Sequence, residues 1–304
     1  METAVTVSDF SKTYGEVVAV DEISFEVRPG EIFGLLGPNG AGKTTTLECL
    51  EGIRQPDRGQ LAVMGVDPTQ EPRKLHQVMG VQLQASGLPA DMLVDEAMHF
   101  FSAYHAVEPR HELLDRLGLG EKRRTPYRQL STGQQRRLAL ALAIAHRPEV
   151  LILDEPTAGL DVASRAELHA LMAELRSEGT AILLATHDMA EAEKLADRVA
   201  ILLRGRIAAT GTPADLTATG SGLTKISLRT ENRMDALDPG SLPGVVRTAR
   251  QDEYQVMMSN DAGTTLVALI HRIEAEGDRL VDLRVERPSL EERFLEITET
   301  GAAS

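Results

Sequence analysis

The 304-residue chain has no tryptophan, a single cysteine and only 3% aromatic residues. One thiol, Cys49, excludes an internal disulfide and fits a reducing compartment; within a helix-forming stretch it reads as a small buried hydrophobe. Long apolar runs are missing too. The longest, Leu138–Ala145, has eight residues, whereas a membrane-crossing helix takes about 20. The start, METAVTVSDF, lacks a positively charged segment ahead of an apolar stretch and does not read as a signal peptide. Basic residues number 32 against 46 acidic, a formal net charge of −14, and no basic tract exceeds Lys122–Arg124. Such a balance argues against direct nucleic-acid binding and against unaided adsorption to anionic lipid. No pair of Cys or His suggests a transition-metal site by its spacing. What is present, 42% hydrophobic residues, supplies core for one large and one small domain in a soluble, cytosolic protein.

Residues 3–7 and 17–27 alternate apolar and polar positions, which predicts a half-buried antiparallel sheet. Ile32–Leu36 is a short apolar run ending in glycines, followed by helical composition over Lys43–Ile53. Helical spacing then dominates from Leu93 to Leu119 and from Gln134 to Ala145, so residues 86–147 read as a helical insertion. Val150–Leu153, Ala181–Ala185 and Val199–Leu203 are strand-length apolar runs separated by helical stretches 163–176 and 189–196, the alternation of a parallel sheet covered on both faces. Gly, Thr, Ala and Pro accumulate over Thr210–Gly222 and mark a boundary, placing domains at 1–215 and 223–304 with a linker at 216–222. The second predicts a small α+β unit, with strands Lys225–Arg229, Val245–Ala249, Tyr254–Met258 and Leu280–Val285 and helices Thr264–Ala275 and Leu290–Thr298. Arg136, Arg137 and Lys122–Arg124 read as solvated faces.

GPNGAGKTT matches G-x-x-x-x-G-K-[ST], with a strand before it and a helix after, the pattern of a phosphate loop. Gly37, Pro38, Asn39, Gly40, Ala41 and Gly42 let successive backbone N–H groups turn inward around a β-phosphate, and the following helix adds its positive N-terminal end. Lys43 supplies a mobile cation for the β and γ oxygens; Thr44 offers a hydroxyl to Mg²⁺, and Thr45 continues the first helical turn. Val150–Glu155 is an apolar strand ending in two carboxylates, and ligands of such sheets bind at the carboxyl ends of strands. Asp154 is therefore expected to hold Mg²⁺, and Glu155 to orient and deprotonate an attacking water.

From Leu130 to Asp161 the chain resembles the nucleotide-binding subunit of ATP-binding-cassette (ABC) transporters. The usual signature LSGGQ stands here as Leu130, Ser131, Thr132, Gly133 and Gln134, just before a helix, and the order of the other motifs also matches over residues 3 to about 215. The resemblance implies a P-loop NTPase (RecA-like) α/β fold with an N-terminal antiparallel β subdomain, a helical insertion and a C-terminal α+β domain. It implies ATP and Mg²⁺ as ligands, and a homodimer in which each signature meets the γ-phosphate held by the other subunit, sandwiching two ATP head to tail. Thr132 departs from the usual glycine, and a positive φ there would strain a β-branched residue. By the same resemblance Tyr14 stacks on adenine, although a hairpin-core tyrosine is the alternative. Gln84 contacts Mg²⁺ and water, with Gln82 competing for that role. Asp161 contacts the dimer partner, and His187 holds the γ-phosphate with Glu155.

Transport then requires separate transmembrane permease subunits, docked on the groove after Gln84 and holding this subunit on the cytoplasmic face of the membrane. The tail ERPSLEERFLEI is similar to that of daunorubicin-resistance-type exporter ATPases, with Arg293 where that pattern more often has an apolar residue. Export of a drug, antibiotic or other small molecule follows. A soluble cassette factor of translation or repair is the second reading; those relatives typically carry two cassettes or a long coiled coil, and this chain has one cassette and no sustained heptads.

Overall fold

Strand alternation near the N-terminus extends further than residues 3–7 suggest, because the chain forms a long hairpin. The computed structural model describes residues 3–82, 87–218, 223–231, 239–286 and 289–301. Strands β1 (Val5–Tyr14) and β2 (Val17–Val27) pair antiparallel around Gly15, whose φ of +59° suits the tight turn. The fully buried β3 (Ile32–Leu36) feeds the glycine-rich loop and α1 (Lys43–Leu50). That helix stops short of Ile53 because Gly52 adopts φ +74° and the Ile53 N–H returns to the Glu48 carbonyl over 3.0 Å. Next, β4 (Arg58–Val63), which the sequence pattern did not announce, pairs with the free side of β1 to complete the sheet β2-β1-β4. A short α2 (Pro72–Val78) leads into β5 (Met79–Gln82).

The helical stretch expected over Leu93–Leu119 is broken in two, α3 (Val94–Tyr104) and α4 (His111–Arg116). At the break Ala106 takes φ +55°, the Val107 N–H bonds back to Ser102 O at 2.9 Å, and Pro109 has no N–H to continue a helix. Helix α5 (Thr132–Ala143) starts two residues before the predicted Gln134, behind a Ser131 cap.

The chain then alternates strand and helix: β6 (Val150–Asp154), α6 (Val162–Ser177), β7 (Ala181–Thr186), α7 (Met189–Leu195), β8 (Arg198–Leu203) and β9 (Arg206–Gly211). Together with β3 and β5 these strands form a six-stranded sheet ordered β5-β6-β7-β3-β8-β9, parallel except for β9, which folds back on β8. Every residue of β3, β6 and β7 is buried, which is why they read as unbroken apolar runs. Cys49 is fully buried in this core.

The second compact unit, Pro213–Ser304, contains α8 (Pro213–Ala218), β10 (Thr224–Thr230), β11 (Val245–Gln251), β12 (Tyr254–Ser259), α9 (Ala262–Ala275), β13 (Leu280–Glu286) and α10 (Leu290–Gly301). Its antiparallel sheet runs β11-β12-β10-β13, with Leu269 and Ile273 of α9 packed on Ile226, Leu228 and Met257. Asp261 caps α9 through the Thr264 N–H, and Ser289 and Glu292 exchange capping bonds at α10. Arg293 pairs with Glu296 along that helix. The expected boundary after residue 215 falls instead after Thr212, and residues 216–218 of the expected linker belong to α8, while 219–222 lie outside the described residues. Among the described residues no helix is long and apolar enough to cross a membrane.

In the first unit α5 closes on β5 at Gly80, where an added Cβ would lie 2.1 Å from the Ala143 carbonyl oxygen. Backbone on both sides cannot yield, so Gly80→Ala is expected to destabilise the protein by about 1–3 kcal/mol, read as a lower thermal midpoint; an unchanged midpoint would show that α5 and β5 are not held in this contact.

Candidate functional site

Adjacent strands end level with one another at one edge of the parallel sheet. Leu36 of β3 is in register with Thr186 of β7, and Asp154 of β6 with Ala185, so the three following loops emerge side by side. Residues after β3 and at the end of β6, with Tyr14 and Ala19 of the β1–β2 hairpin, line a cavity of about 250 Å³: Pro38, Asn39, Gly40, Gly42, Lys43, Thr44, Thr45, Asp154 and Glu155 complete its wall. The loop has little room for side chains: a Cβ on Gly37 would lie 2.3 Å from the Leu202 carbonyl oxygen, and one on Gly42, at φ +109°, 2.5 Å from that of Ala19. Ala41 is instead packed into the core.

Lys43 is buried and its Nζ donates to the Gly37 and Pro38 carbonyls, at 2.7 and 3.2 Å. Burial lowers its pKa, opposed by Glu155 and Asp154. The Thr44 hydroxyl donates to Asp154 Oδ2 at 3.3 Å, and burial raises the pKa of that carboxyl. A hydroxyl and a carboxylate facing one another at the cavity wall form the oxygen donor set that a hard divalent ion takes, so these residues fit Mg²⁺. Glu155, with backbone φ +50°, turns its side chain from the strand end to His187, whose backbone N–H donates to Oε1 at 3.0 Å and whose Nδ1 lies 2.7 Å from the same oxygen. Lys43 Nζ is 3.9 Å from that oxygen. A carboxylate and a cation thus face one cavity, and the His187 imidazole holds the carboxylate from beside it. Tyr14 stands on the rim, partly exposed, with the cations of Lys12 and Arg54 at 5.6 and 5.2 Å from its ring; it is an accessible ring rather than hairpin core.

The signature residues lie elsewhere. Ser131 caps α5, accepting from the Gln134 N–H at 3.2 Å while Gln134 Oε1 accepts from the Ser131 N–H at 2.9 Å. Thr132 is the first helical residue and has no positive φ, so the strain expected there is absent. Gly133 packs near Leu160. None of Ser131–Gln134 lines the cavity of their own chain. Asp161 caps α6 through the Ser164 N–H and hydroxyl, bonds that hold its carboxyl below the usual range. Gln84 lies outside the described residues; Gln82 is buried in β5 with its Oε1 unpartnered.

Two arrangements escaped sequence reasoning. Arg136 and Arg137 are half-buried rather than a solvated face: Arg136 donates to the Glu155 carbonyl at 2.9 Å and Arg137 to that of Leu117 at 3.0 Å. The buried Glu191 accepts from the hydroxyls of Thr157 and Thr186 at 3.0 and 3.3 Å and meets His169 Nε2 at 3.1 Å, anchoring both loops that flank Glu155. The spacing Asp188-x-x-Glu191, a helix-start pattern, was the available signal. A second cavity, about 400 Å³, opens between β5 and α3 and is lined by apolar residues including Met79, Val81, Leu88, Phe101 and Leu142, together with Glu51. Glu51 is buried, neither carboxylate oxygen has a hydrogen-bond partner, and burial lifts its pKa from 4.5 to about 7.

Residues 20–158 match the profile of the ABC transporter family. Daunorubicin resistance ATP-binding protein DrrA3 of Streptomyces coeruleorubidus is 34% identical over 98% of this chain and 96% of its own length. Nod factor export ATP-binding protein I of Paraburkholderia xenovorans (strain LB400) is 37% identical over 98% of this chain and 97% of its own length. A solved structure of the ATP-binding subunit of an ABC transporter, 28% identical, superposes with a TM-score of 0.67 over 70% of this chain and 92% of that one.

The raised pKa of Glu51 has a definite sign. The folded protein holds a proton that the unfolded chain releases, so this contribution to stability is complete below pH 4.5 and is lost as pH rises through about 7. Its size is about 3 kcal/mol. Glu51→Gln is expected to flatten the fall in denaturant-unfolding stability over this pH range; an unaltered pH profile would place the titration elsewhere.

Proposed function

The chain belongs to the ABC transporter family, among the ATP-binding subunits of exporters, and from that premise we propose that it binds MgATP in the cavity over the glycine-rich loop and hydrolyses it to drive export through separate permease subunits. The observation that carries the reading is the buried Glu155 carboxylate, held by His187 and set beside Lys43. Backbone N–H groups of Gly40–Thr45 and the Lys43 cation bind the phosphates, and Tyr14 stacks on the base. Glu155 accepts a proton from the attacking water, and His187 fixes the carboxylate and reaches toward the γ-phosphate. Thr44 and Asp154, with Gln84, would hold Mg²⁺, which would supply neutralisation of phosphate charge.

The site is incomplete within one chain, since the capped N-terminus of α5 stands away from the cavity. Ser131, Thr132, Gly133 and Gln134 of a second copy supply the missing donors, giving a head-to-tail homodimer with two ATP at its interface and Asp161 at its edge. Separate permeases hold the pair at the cytoplasmic face of the membrane. Their docking segment enters the largely apolar groove between β5 and α3, where the unpartnered Glu51 carboxyl offers a hydrogen-bond partner to a polar side chain on that segment. The cargo is a drug, antibiotic or other small molecule; the name of one relative refers to daunorubicin resistance and that of another to Nod factor export.

Lys43→Ala is expected to abolish measurable ATP binding by calorimetry, and unchanged binding would remove the phosphate-loop assignment. Glu155→Gln is expected to retain ATP while turnover falls roughly a hundredfold or more, and to elute as a dimer with ATP in size-exclusion chromatography. A variant that stays monomeric with ATP bound would count against the sandwich.

A further inference from the structure

The helical insertion carries a group of side chains that the nucleotide site does not use. Asp95 and His99 lie one turn apart on α3, and His111 opens α4, brought alongside by the break at residues 105–110. Their ligating atoms lie within 4.8 Å of one another. Asp95 Oδ1 is 3.0 Å from His111 Nε2, and Asp95 Oδ2 is 3.6 Å from His99 Nε2. Zinc bonds to imidazole nitrogen and carboxylate oxygen are about 2.0–2.2 Å, so neighbouring ligand atoms of a tetrahedral ion stand about 3.3 Å apart; each imidazole lies near that spacing from one of the two Asp95 oxygens, and the two imidazoles come within 4.8 Å of each other. His111 Nε2 is shielded from solvent and has no hydrogen bond despite its nearness to the carboxylate. A nitrogen so placed has its lone pair or proton directed off the line to Asp95, which costs free energy unless a third atom takes it.

The frame holding these ligands is cross-tied. The Asp95 N–H donates to the Arg123 carbonyl at 2.9 Å, and Arg123 Nη2 donates to the His111 carbonyl at 3.4 Å and to Asp115 at 2.8 Å. Arg123 is therefore neutralised by Asp115 and leaves Asp95 as the anion facing both imidazoles; Arg110, next to His111, is paired with Glu112. His99 is the most exposed member, giving an ion access from solvent.

We propose that Asp95, His99 and His111 form a binding site for a borderline divalent transition ion, with Zn²⁺ the first candidate, that clips the start of α4 to α3 and leaves one coordination position for water. Two imidazoles and one carboxylate favour such an ion over Mg²⁺, which takes oxygen ligands. Sequence spacing hides the site because its third ligand comes from a different helix.

The test is calorimetric titration of the chelator-treated full-length protein with ZnCl₂, with thermal unfolding followed in parallel. One zinc per chain is expected at this site, with a raised thermal midpoint, and each of His99→Ala, His111→Ala and Asp95→Asn should weaken that binding by roughly tenfold or more and abolish the zinc-dependent rise. Tetrahedral Co²⁺ absorption in the visible, lost in the same variants, is the second readout. His76→Ala, which alters a histidine outside the cluster, should change neither. All three variants should fold with the wild-type midpoint in chelator. Absence of saturable binding overturns the proposal, and so does zinc binding that persists in the double variant His99→Ala/His111→Ala, which would place the ion at Asp154 or on scattered surface groups.

Discussion

Everything at the nucleotide site depends on one constraint, the parallel pairing of β3 and β6 to the two sides of β7. Because Leu36, Asp154 and the Ala185–Thr186 pair occupy matching rungs, the loops beginning at Gly37, Glu155 and His187 leave the sheet at one level. Parallel strands require long crossovers, so the groups that meet here are separated by whole helices along the chain. The sheet converts that sequence distance into contact.

On that platform the polar groups are arranged by mutual satisfaction. Lys43 is kept in a buried position by two carbonyls of its own loop, with Glu155 close enough to offset part of its desolvation. Beneath the surface, Glu191 binds Thr157 on one side and Thr186 on the other, while Arg136 reaches from α5 to the Glu155 carbonyl. The segment carrying Glu155 is thus braced by the sheet, by α7 and by the helical insertion. That last connection ties α5, whose N-terminus carries Ser131–Gln134, directly to the backbone of Glu155.

Much of this was legible beforehand, for identifiable reasons. The phosphate loop, the Asp154–Glu155 pair and the parallel strands announce themselves because their chemistry demands particular residue types at short range. Tyr14 left two readings open, since a tyrosine after a strand looks the same whether it lines a cavity or fills a core, and only its exposure beside the loop distinguishes them. Thr132 seemed a source of strain because the residue alone does not disclose its φ; as the first residue of α5 it is helical. Arg136 and Arg137 looked solvated because consecutive charges usually are, whereas their carbonyl partners sit 19 and 20 positions away in the chain.

By itself the sequence determined which local elements form and what chemistry each loop can perform, since helix caps, glycine turns and the phosphate-loop composition act within a few residues. Only the tertiary structure decided which of those loops share a cavity, which charges are buried and left without partners, such as Glu51, and that His111 lies against Asp95 and His99. The physical reason is range. Backbone geometry and capping are set by neighbours in the chain, but desolvation, pairing of distant charges and convergence of ligands exist only after the strands have paired and the helices have closed over them.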